Sequence, residues 1–138
     1  MAAIAVALGV PIVGYITSPA RSAKTAEGWT EVGGLSDFRV GEPARPSFIS
    51  TVKDGWVTTE VGRSVWVVRR GAEEFTVYNP KCTHLGCIVG WHAEDQTFKS
   101  PCHGGVFAVD GRVMAGPPPR PLDTMDWKIE NGKLFVVY

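Results

Sequence analysis

Two short stretches hold the metal-binding chemistry of this chain: CTHLGC at residues 82–87 and SPCHG at residues 100–104, twelve residues further on. Between them they carry all three cysteines and two of the three histidines. Cys82, His84, Cys87, Cys102 and His103 are thiol and imidazole donors, and a structural zinc ion would take four such groups in a tetrahedron. A single histidine near a cysteine is commonly incidental. Two such pairs in turns rich in Gly and Pro point instead to a metal centre. The remaining histidine, His92 in GWHAEDQ, matches no pairing and is expected on the surface or in a turn. Ser100, at the head of the second stretch, sets a hydroxyl beside these donors.

Positioning these stretches falls to β structure. Sixteen glycines, ten prolines and five tryptophans in 138 residues suit a loop-rich, all-β domain with a modest core. SVWVVRR and EFTVYNP predict a hairpin around Gly71. VFAV and RVMA predict another around Asp110-Gly111, and DWKIE and KLFVVY a third around Asn131-Gly132, dipeptides suited to tight turns. GPPPRPL, residues 116–122, cannot join a ladder and forms a stiff loop, whose place after the second stretch makes it a candidate part of the site. Acidic and basic residues balance at 14 each, leaving no long-range field to draw nucleic acid. Arg69-Arg70 is expected to be a solvated turn rather than a patch. Residues 1–18 are apolar and uncharged, slightly short of the about 20 residues of a bilayer span, and lack the basic start of a signal peptide. They predict a membrane anchor, residues 19–28 a flexible hinge, and residues 29–138 the head.

With CTHLGC, PCHGG and GPPPRPL in this order, the chain resembles the Rieske iron–sulfur subunit of cytochrome bc-type quinol oxidoreductases over nearly its whole length. YNPKCTHLGC and GPPPRPL are most similar to the bacterial menaquinol-oxidising branch. The resemblance implies an N-terminal transmembrane helix, a hinge and a Rieske-like antiparallel β-sandwich head. Two cluster-binding loops are inserted in that head, at about residues 80–91 and 99–107. It also implies a [2Fe–2S] cluster with two cysteines on one iron and two histidines on the other. Matched position by position, Cys82, His84 and His103 are ligands, Cys87 and Cys102 form a disulfide tying the loops together, and Ser100 stands where the second cysteine ligand belongs. Leu85, Gly86, Gly104, Gly105, Phe107, Pro117 and Pro118 match the cluster's surroundings. A disulfide implies an oxidising compartment, which places the head on the extracytoplasmic side of the cytoplasmic membrane.

Ser100 leaves three arrangements open. It ligates iron through oxygen, a harder donor that lowers the potential; or Cys102 swings in as the ligand at the expense of the disulfide; or the head folds without a cluster. High-potential members of the family carry Ser and Tyr hydroxyls that donate to sulfur, at positions matched here by Gly105 and Phe107. Losing those donors lowers the potential, which suits menaquinol. The plainer roles are a backbone turn for Gly105 and a core aromatic for Phe107. The implied function is electron transfer: His84 or His103 accepts a hydrogen bond and a proton from quinol as the cluster takes the electron. The head then swings to a cytochrome haem, with a cytochrome b subunit and a c-type cytochrome as partners. Three rivals are the Rieske small subunit of an arsenite-oxidase-like complex, a soluble Rieske ferredoxin, and a cluster-free Rieske-fold docking subunit. GPPPRPL argues against the first, and Cys87 with Cys102 against the second.

Overall fold

The computed structural model describes residues 11–14, 28–54 and 56–138. The strands are β1 (Trp29–Gly34), β2 (Ser47–Asp54), β3 (Val57–Ser64), β4 (Trp66–Arg69), β5 (Phe75–Tyr78) and β6 (Gly90–His92). They continue with β7 (Thr97–Lys99), β8 (Val106–Ala108), β9 (Val113–Ala115), β10 (Trp127–Glu130) and β11 (Lys133–Val137). All three hairpins expected from the sequence are present, as β4–β5, β8–β9 and β10–β11. Among the described residues every ladder is antiparallel, and the strands sort into four sheets: β1–β11–β10, β2–β3, β4–β5 and β6–β7–β8–β9. The head is all-β as expected, with one three-residue 3-10 turn at Leu35–Asp37. The anchor and hinge lie outside the described residues, except for the helical residues 11–14 and for residue 28. Among the described residues, no helix is long and apolar enough to cross a membrane.

Two hydrophobic cores lie on either side of the β4–β5 hairpin. Side chains alternate across a strand, so Val65 and Val67 enter one core with Val32, Phe38, Phe75, Val77, Leu134 and Val136. Trp66, Val68 and Tyr78 enter the other, with Cys82, Val89, Phe98, Phe107 and Leu122. The unbroken apolar run in VWVV is the sequence of a strand buried on both faces. The Trp66 indole donates to the Val89 carbonyl at 3.1 Å, fastening β4 to the chain that leaves the first cysteine-containing loop. Arg69 is not the solvated residue that the pair Arg69-Arg70 suggested. It donates to the carbonyls of Leu35, Phe38, Gly71 and Ala72 and stacks on the Phe75 ring. A guanidinium with five donors satisfies several carbonyls at once, which the dipeptide alone could not reveal.

Turn chemistry fixes the ends of the hairpins. Asn131 and Gly132 take φ of 51° and 73°, the left-handed pair of a two-residue hairpin turn. Gly111 takes φ of 84°, and a Cβ there would lie 2.7 Å from the Tyr78 ring. The Tyr78 hydroxyl donates to the Val109 carbonyl at 3.2 Å and so pins the same turn. Burial pushes the Tyr78 phenol above its ordinary pKa, against the smaller opposing pull of Arg70, and keeps it a proton donor. The two glycines therefore predict different costs. Gly132→Ala has open space around it and loses about 1–2 kcal/mol for the left-handed backbone alone. Gly111→Ala adds about 1–3 kcal/mol of overpacking against Tyr78. Urea denaturation of both variants checks the difference; equal losses would mean that the Tyr78 contact yields freely.

Candidate metal centre

The two sequence boxes are the tips of two hairpins built to one plan. In the first, Lys81 and Ile88 form an isolated antiparallel bridge, and the Cys82 N–H donates to the Cys87 carbonyl at 2.8 Å. In the second, Lys99 and Val106 close the β7–β8 ladder, and the Ser100 N–H donates to the Gly105 carbonyl at 2.8 Å. Each tip is thus a six-residue loop, 82–87 and 100–105, opened by one N–H and closed by one carbonyl. Cys82 and Ser100 occupy the same place, the first residue of the tip, and are 4% and 5% exposed. Gly86 (φ 81°) and Gly104 (φ 66°) turn the chain near the end of each tip.

The side chains separate by depth. Cys82 is buried and unbridged. Cys87 and Cys102 form a disulfide that joins the two tips, with Cα atoms 6.4 Å apart. Cys102 is therefore committed, and the arrangement in which it swings in as a ligand finds no support. His84 is half-buried and His103 exposed, their rings edge-to-face with centroids 4.7 Å apart. Leu85 beside them is 70% exposed. His84 Nδ1 and Ser100 Oγ are buried without a hydrogen-bond partner among the described residues. Arg63 Nε and Thr97 Oγ1 are in the same position, and such groups cost free energy unless a hydrogen bond, an ordered water, a ligand or a metal satisfies them. His92 is exposed on β6, as expected for a bystander. Among the described residues, no three His, Cys, Asp or Glu side chains gather as a single ion would need.

The proline loop completes the cradle through contacts that no motif announced. Thr83 Oγ1 donates to the Arg120 carbonyl at 2.6 Å, tying this loop to the first tip. Arg120 forms an ion pair with Asp123, whose carbonyl accepts from Asn79 N–H at 2.8 Å. Gly116 lies against the second tip so closely that a Cβ would sit 2.5 Å from the Gly104 carbonyl oxygen. Pro117 is exposed and Pro118 buried. A Cβ on Gly105 would fall 2.7 Å from Pro118 Cγ and 3.4 Å from Cys82 Sγ. Gly105 is not among the glycines of positive φ, so close packing rather than a turn demands glycine there. Phe107 is fully buried, opposite Phe98 in the β7–β8 ladder, and is a core aromatic.

Residues 29–126 match the Rieske [2Fe-2S] domain. The chain belongs to the Rieske family. Among its relatives, the menaquinol:cytochrome c reductase iron-sulfur subunit of Bacillus subtilis is 30% identical over 96% of this chain and 81% of its own length. The subunit of the same name from Geobacillus thermodenitrificans is 37% identical over 69% of this chain, which spans 59% of that relative. The cytochrome b6-f complex iron-sulfur subunit of Chlorobaculum tepidum is 34% identical over 98% of this chain and 67% of its own. The plasma membrane Rieske protein of Synechocystis PCC 6803 superposes with a TM-score of 0.55 at 28% identity, over 79% of this chain and 99% of its own. The cofactor of this Rieske head is a Rieske-type [2Fe–2S] cluster, and the buried unbridged thiol of Cys82 and the unpartnered His84 Nδ1 fit it.

Two expectations follow for the cradle. Removing the bridge by Cys87→Ala with Cys102→Ala frees a 15-residue separation and lowers unfolding free energy by about 3 kcal/mol, measured in urea. Gly105→Ser costs about 1–3 kcal/mol by forcing Pro118 aside, and Pro118→Ala recovers more than half of it in the double variant. Strictly additive losses in that cycle would show that Gly105 and Pro118 do not interlock.

Proposed function

We propose that this Rieske head is the electron-carrying subunit of a bc-type quinol:cytochrome c oxidoreductase that oxidises menaquinol. The observation that carries the reading is the depth order of the site: thiol inside, the two imidazoles together at the outer end of joined tips. Its similarity to two menaquinol:cytochrome c reductase subunits supports the choice of quinol. Cys82 would hold one iron, with position 100 as the second place on it, and His84 and His103 would hold the other. The bound cluster supplies one-electron acceptance and donation. His84 directs Nδ1 inward, which leaves its other ring nitrogen and the exposed His103 to meet a ligand from outside. One of these imidazoles accepts the quinol hydroxyl's hydrogen bond and then its proton. Leu85 at the tip gives the quinol ring and the cytochrome b subunit an apolar surface to seat against. Gly105 and Phe107 offer no side-chain donors to sulfur, which favours a low potential and a strong reductant such as menaquinol.

Residues 1–18 anchor the chain in the bilayer, residues 19–28 act as the hinge, and the head faces the extracytoplasmic side, where the Cys87–Cys102 bridge is stable. A c-type cytochrome receives the electron. The test is low-temperature electron paramagnetic resonance of the dithionite-reduced full chain, with iron and sulfide counted on the same sample. The expected outcome is a rhombic signal of low average g at about two irons per chain. A reduced menaquinone analogue should produce that signal, and an oxidised c-type cytochrome should abolish it. A folded chain without iron under all conditions, including with cysteine restored at position 100, would sink this reading in favour of a docking subunit.

A further inference from the structure

We infer that Ser100 is a true ligand, binding the inner iron through its side-chain oxygen as the counterpart of Cys82. The inference rests on the cluster reading above and extends it to a mixed oxygen and sulfur donor set. Four observations converge on it. Ser100 and Cys82 are the opening residues of two tips closed by the same backbone bond, so the fold gives them equivalent stations. Both are buried to the same degree, at 5% and 4% exposure. Both border Gly105: Ser100 through its N–H to the Gly105 carbonyl, and Cys82 through Sγ, 3.4 Å from where a Gly105 Cβ would stand. Among the described residues Ser100 Oγ finds no hydrogen-bond partner, although a buried hydroxyl ordinarily has one.

Three neighbouring positions supply no donor at this station. Cys102 is spent in the disulfide. Phe107 is packed in the core and Gly105 has no side chain. On ligation an iron–oxygen bond forms as the hydroxyl proton leaves to solvent, with no change of oxidation state. An oxygen anion concentrates its charge more than a thiolate and favours ferric iron. Ser100 therefore lowers the potential in the same direction as the missing donors at Gly105 and Phe107.

The test compares the full chain with Ser100→Ala and Ser100→Cys, all expressed alike. Iron and acid-labile sulfide are counted, the reduced chains are examined by paramagnetic resonance, and iron-edge X-ray absorption reports iron–oxygen contacts. Circular dichroism establishes that each chain is folded. The expected result is a full complement of iron in the native chain, with a short iron–oxygen contact that disappears in Ser100→Cys. Ser100→Ala should lose iron by at least about tenfold, the loss typical of even an outer-shell change. Ser100→Cys should keep its iron, with altered g values and a higher midpoint potential. Ser100→Ala with full iron and an unchanged spectrum would overturn the ligand while leaving the electron carrier intact. Iron in Ser100→Cys but none in the native chain would also overturn it, showing a site that serine disables. Iron in none of the three would remove both the ligand and the cluster reading.

Discussion

Burial of β4 and β5 on both faces is the constraint on which the rest of the head depends. A strand with one wet face can slip at modest cost, but here a one-residue slip would send Val65 and Val67 into the space of Trp66 and Val68. Two cores would lose their contents at once, each large-to-small mismatch costing about 2–5 kcal/mol. Register is therefore held tightly, and the site inherits it. Tyr78 ends β5 in the second core, and Pro80 follows within two residues of Cys82. The Trp66 indole holds the return strand at Val89. A change deep in this hairpin would thus displace the first tip without touching any residue of the tip.

The tips themselves are held less by attraction across the surface than by short covalent and backbone ties. Exposed ion pairs such as Lys133–Glu31 and Lys128–Glu130 are worth at most about 1 kcal/mol each in water. The disulfide alone accounts for about 3 kcal/mol, and the closing bonds of each tip fix its backbone from within. Three loops are then locked pairwise: the bridge between the two tips, Thr83 to Arg120 between the first tip and the proline loop, and Gly116 with Pro118 against the second tip. Such a cradle positions the imidazoles at its outer end while keeping water from Cys82. That division suits a centre that must exchange electrons at its tip and remain insulated at its base.

The chemistry was legible in the sequence because metal-ligand types and turn residues are local properties. The cysteine and histidine boxes, the hairpins at Gly71, Asp110-Gly111 and Asn131-Gly132, and the all-β character needed only neighbouring residues to declare themselves. The role of Arg69 is not local, because its four carbonyl partners come from two segments, one of them more than thirty residues away in sequence. Thr83 carried no signal at all, since its partner at Arg120 belongs to another loop. Gly105 offered a choice between a turn and a missing donor, and neither explained why glycine is required.

By itself, the sequence determined which groups could bind metal, that a β framework carries them, and that Ser100 breaks the pattern of sulfur donors. Those conclusions rest on side-chain chemistry and on backbone preferences that act over a few residues. Only the tertiary structure decided that Ser100 and Cys82 hold equivalent buried stations, that Cys102 is unavailable, and that Pro118 fills the space a side chain at 105 would need. Those are matters of excluded volume and of hydrogen bonds between segments far apart in the chain, and they exist only once the two tips and the proline loop are packed together.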